Sequence, residues 1–140
     1  MVGPPRFKLA DTAQQIVGGF LLAGPFVVTE EVWRLAEEMT RVHALATAVL
    51  VAVIGYGALY QADDDRDPDA ESEVAGLPLR FVSLLGVAFG SVAILALLFD
   101  APGTFLPDGA GVERFEITLR AITVGAVFSV VGAATADSVF

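Results

Sequence analysis

The chain has 140 residues, 55% of them apolar, and a mean hydropathy of +0.69, too hydrophobic for an ordinary soluble domain. A formal net charge of −9 excludes a nucleic-acid binder driven by phosphate contacts, and the few scattered basic residues speak against a polybasic anionic-lipid binder. With no cysteine and one histidine, the chain offers neither disulfides nor thiolate ligands, no Ser–His–Asp set that would make it an enzyme, and nothing that calls for a cofactor.

Residues 1–12 form a polar lead carrying Pro4, Pro5, Arg6 and Lys8. The first span is expected over residues 12–33. Its strictly apolar part, residues 16–28, is short: roughly 20 Å of helix at about 1.5 Å per residue, against a hydrocarbon core of about 30 Å. Pro25 has no N–H, so the Leu21 carbonyl loses its helical partner and a kink is expected there, with the Thr29 hydroxyl folding back towards the Pro25 carbonyl. Trp33 is expected at the headgroup boundary. That placement leaves Glu30 and Glu31 at or just inside the boundary, where a carboxylate must be paired, neutralised or facing water. Glu30, Glu37 and Glu38 are spaced to pair with Arg34 and Arg41 on a solvated helical extension.

The second span is expected over residues 43–60, with His43 at its start. An acidic loop, residues 61–78, follows; Asp63, Asp65 and Asp67 alternate as in a calcium loop, but the glycine and distal glutamate of that loop are missing, so a solvated linker is the better reading. The third span, residues 79–99, contains Gly86 and Gly90 in a G-x-x-x-G pattern that lets helices approach closely. The turn residues Pro102, Gly103, Pro107 and Gly109 separate it from the fourth span, residues 116–136, on which Ala121, Gly125, Ser129 and Ala133 form a second small-residue face. Arg6, Arg80 and Arg114 each precede a phenylalanine and read as interfacial anchors of spans one, three and four.

The expectation is therefore an all-α, polytopic protein of the cell membrane: a single domain of four transmembrane helices, the first Pro-kinked. Two small-residue faces point to a homo-oligomer, a dimer by preference. The acidic, lysine-poor composition is that of a protein from a high-salt cytoplasm.

The pattern Pro25, three apolar residues, Thr29, Glu31 and Trp33 resembles the first-helix signature of an uncharacterised family of predicted integral membrane proteins from halophilic archaea and bacteria. The likeness covers about 15 residues; it implies that a short chain such as this pairs with a second copy, and it implies no activity. Two functions follow from the residues themselves. One is a cation pathway, channel or transporter, with Glu31 at its mouth and Glu30, Thr29 and the Pro25 kink as accessory groups, since acidic residues facing a pore attract cations. The other is a non-transporting scaffold or sensor that packs against partner helices.

Overall fold

The computed structural model describes residues 9–61, 73–74, 77–106 and 111–139. The acidic stretch with Asp63, Asp65 and Asp67 lies outside these residues, as do Arg6 and the Pro107 turn. Helix α1 (Leu9–Val27) is followed by α2 (Glu30–Glu38) and α3 (Arg41–Tyr56), which runs on into a π-helical turn, Gly57–Gln61. Two residues each of β1 (Glu73–Val74) and β2 (Leu77–Pro78) pair antiparallel, Val74 opposite Leu77. Helix α4 (Leu79–Leu98), the short α5 (Ala101–Phe105) and α6 (Gly111–Val139) complete the chain.

Among the described residues, three segments are long and apolar enough to cross a membrane: Arg41–Tyr60, Leu79–Leu98 and Gly111–Asp137. They become four if α1 and α2, bent by 80°, are taken as one broken span.

That bend corrects the expected first element. No single helix runs over residues 12–33, and the break is not at Pro25. Helix α1 continues through Pro25, whose ring lies on the exposed side, and ends two residues later. The missing N–H takes the helical donor from the Leu21 carbonyl without stopping the helix, and two carbonyls left over where the helix ends find other donors. The Phe26 carbonyl accepts from both the amide and the hydroxyl of Thr29, at 3.2 and 2.8 Å, so the hydroxyl reaches three residues back and not to Pro25. The Val27 carbonyl accepts from the indole Nε1 of Trp33 at 2.9 Å.

Trp33 is 1% exposed, so the headgroup anchor expected from its type is instead the plug of the bend. It packs with Ala23, Val27, Val92, Ala96 and Ala121 and stacks on Phe105 at 6.2 Å. Trp33→Phe retains much of the ring and removes the donor. We expect it to cost about 1–3 kcal/mol, the desolvation of an orphaned carbonyl, in thermal unfolding in detergent. Unchanged stability would show that the bond contributes nothing.

Helix α1 lies along α6, and α4 packs on both, forming a three-helix core in which α6 runs antiparallel to the other two. The α1–α6 crossing is set by Gly18 and Gly132: a Cβ on either would run into the other's backbone carbonyl. Gly125, on the same face of α6, rests on Val92, whose Cγ1 would be 2.7 Å from an added Cβ. Small residues at these points let the backbones come together, as membrane helices do in the absence of a hydrophobic drive between them. Helix α3 flanks α6 and leaves Val42, Leu45, Val49 and Val53 exposed.

Candidate functional site

The polar interior begins at the end of the core where α1 and α4 start and α6 finishes. Arg80, the second residue of α4, was expected to anchor at the interface; it is 2% exposed. Its Nη1 donates to Asp137 Oδ1 at 2.7 Å, and its Nη2 to Asp11 Oδ2 at 3.2 Å. Asp137 comes from the last turn of α6 and Asp11 from the first turn of α1, so one guanidinium ties three helices. Arginine suits that position because its planar fork presents several donors in fixed directions.

Gln15, fully buried one turn beyond Asp11 in α1, completes the cluster. Its Nε2 donates to Asp137 Oδ2 at 3.0 Å and to the Arg80 carbonyl at 3.4 Å, and its Oε1 accepts from Ser83 at 2.7 Å. Both Asp137 oxygens and both ends of the Gln15 amide are thus engaged. An ion pair removed from water gains over its desolvation only when its remaining lone pairs and protons are satisfied in this way.

A second polar layer lies eight residues further along α1 and α6, about 12 Å deeper at 1.5 Å per residue. There the hydroxyls of Ser91 and Ser129 are 2.9 Å apart, and Ser129 donates to the Gly19 carbonyl at 3.1 Å. Beyond it, up to Trp33, the core is apolar but for Thr123, whose hydroxyl donates to the Leu119 carbonyl of its own helix at 2.8 Å. The polar layers therefore stop partway through the bundle.

Of the residues singled out in the sequence, Gly125 and Ser129 lie in this interior. Gly86 and Gly90 do not: among the described residues, nothing stands within 4 Å of where their Cβ atoms would be, so they pack against no described helix. The α4 face that meets α1 and α6 carries Leu84, Ala88 and Ser91 instead. Glu30 and Glu31 open α2 and are both exposed. Glu30 pairs with Arg34 at 2.9 Å, as its spacing predicts. Arg41 pairs with neither Glu37 nor Glu38 but with Glu116, at 2.6 Å, because the helix breaks at Met39 and α3 restarts from a Thr40 cap. His43 belongs to that cap, its Nδ1 accepting from the Thr40 amide at 3.1 Å.

Thr29 and Pro25 do not gather around Glu31 into a pocket lined by carboxylates; Glu31 points away from the bundle on the face of α2 opposite Trp33. Among the described residues, no group of three or more histidines and acids is placed to hold a metal ion.

The Arg80 cluster was missed because its partners are 57 and 69 residues distant in sequence. The one available signal was that Asp11, Gln15 and Asp137 are polar residues near the ends of apolar segments, each with a helix neighbour that could answer it. The chain matches no family model, no curated protein and no solved structure.

Proposed function

We propose that the chain is a multi-pass membrane protein that works as a scaffold subunit, packing against further helices, a second copy by preference, and moving no solute through its own bundle. The observation that carries the reading is the outer face of α4. Gly86 and Gly90 form a flat strip spaced for close helix approach, yet they have open space before them, while the chain's own crossings are made by Gly18, Gly125 and Gly132. The interior supports the same reading, since the buried side chains of Asp137 and Gln15 are committed to holding α1, α4 and α6 together. On this reading α2 lies across one end of the bundle, its acids towards water and Val32, Trp33 and Ala36 towards the core.

The absence of native cysteine makes the test simple. Ile94→Cys, one turn from Gly90 on the same strip, should cross-link two chains in lipid vesicles, and adding Gly90→Leu should abolish the cross-link. Because no described residue stands within 4 Å of a Cβ at position 90, the leucine should leave thermal stability unchanged. Cross-linking that survives Gly90→Leu, or that fails in the parent, contradicts this assembly.

A cation pathway with Glu31 at its mouth is the second reading. It is favoured by the exposure of the α2 carboxylates, which an oligomer could arrange as a ring. The two readings share one expectation at the level of the single chain: Glu31→Gln and Glu30→Gln should both leave the melting temperature unchanged, since both carboxylates already face outwards. A loss of stability confined to Glu31→Gln would reveal a partner for that carboxylate in the assembled protein.

A further inference from the structure

Far from the Arg80 cluster, a groove of about 390 Å³ opens between α3 and α6, lined by Arg41, Ala44, Leu45, Glu116, Leu119 and Arg120. Its polar rim holds two guanidinium groups on a single carboxylate. Glu116 Oε1 meets Arg41 Nη2 at 2.6 Å, and Oε2 meets Arg120 Nη2 at 3.4 Å. The rim is therefore net positive by one charge, in a chain whose net charge is −9.

The rim's height is set by helix length. Helix α6 has 29 residues, roughly 43 Å at about 1.5 Å each, so it exceeds a hydrocarbon core of about 30 Å by two turns or more. With Asp137 at one boundary, the other falls about 20 residues back, near Ile117, one turn from Arg120, whose long side chain reaches up to it. Arg41 is the first residue of α3, with the apolar run beginning at Ala44. Both arginines thus stand at the level of the headgroups, and the floor, Ala44, Leu45 and Leu119, continues towards the hydrocarbon.

We propose that this groove binds a membrane phospholipid, with Arg41 and Arg120 holding the phosphodiester and the apolar floor lying along an acyl chain. Charge complementarity selects the head: a guanidinium offers five N–H donors, and its pairing with phosphate is often bidentate. Among the described residues, Glu116 takes one amino group of each arginine, and the rest of each fork remains for the lipid. The apolar floor selects a lipid over a free phosphate ion. The site rests on the proposed membrane placement of α3 and α6, and is the same for a scaffold as for a pathway.

Native mass spectrometry of the protein in detergent, with added phosphatidylglycerol, reads the site directly. One lipid per chain should be retained in preference to a diacylglycerol with the same acyl chains, and inorganic phosphate alone should not bind. Arg41→Gln and Arg120→Gln should each weaken retention about tenfold or more, the loss expected for a charge-assisted hydrogen bond. Arg41 is exposed at a helix start, so its variant should keep full helicity and separate lost binding from lost fold. Glu116→Gln should tighten retention, because it removes the carboxylate that competes with phosphate; a residue that merely braces the groove would give the opposite sign. Equal retention of the diacylglycerol, arginine variants that bind as the parent does, phosphate binding without lipid, or weaker retention in Glu116→Gln would each overturn the proposal.

Discussion

Arg80→Met is expected to destabilise the folded protein by about 3–5 kcal/mol, because it leaves the Asp137 carboxylate buried without its cation. Asp137 has no exposed surface on its side chain, so water cannot take the place of the guanidinium. Asp137→Leu alone should cost less, since Arg80 keeps Asp11 at 3.2 Å and Asp11 reaches the surface. The double change Arg80→Met with Asp137→Leu should recover more than half of the loss, as a buried ion pair replaced by apolar side chains of similar volume is often neutral. Thermal unfolding of the four proteins in one detergent closes the cycle. Additive losses would mean that the two side chains do not act as a pair.

The second large effect belongs to the α1–α6 crossing. Gly132→Ala adds one methyl group, and in an open helix the change would help by roughly 0.5–1 kcal/mol. Here the methyl meets the Gly18 carbonyl, which as backbone cannot turn aside. The helices must separate, and their separation loosens the Arg80 and Ser129 layers on either side. Overpacking usually costs about 1–3 kcal/mol, and the upper end or beyond is expected where backbone opposes backbone. Gly86→Ala, with open space before it, is the control and should not destabilise. Comparable losses from the two alanines would refute the crossing.

The long elements were legible because an uninterrupted apolar run has few other folds. Residues 43–60 and 79–99 answer closely to Arg41–Tyr60 and Leu79–Leu98. The first span was misjudged because the sequence shows a helix breaker but not what receives the freed carbonyls. Trp33 could anchor at a headgroup boundary or donate inwards to Val27, and only the 80° turn decides between them. Arg80 was misjudged in the same way: an arginine at a helix start ordinarily reaches for water, and it turns inwards only because Asp11 and Asp137 arrive from the far ends of the chain. The glycines mark a third limit. Spacing singled out Gly86 and Gly90, yet the tightest contact is Gly18 on Gly132, a pairing that depends on which helices become neighbours.

On the proposed scaffold function, the polar groups inside the bundle hold it shut and no ion crosses it. Cation flux into proteoliposomes of the purified protein, driven by a salt gradient and read with an entrapped indicator, tests this most directly. Flux no greater than that of protein-free vesicles is expected. Cation-selective flux that Glu31→Gln removes and Glu30→Gln preserves would contradict it and establish the pathway reading in its place.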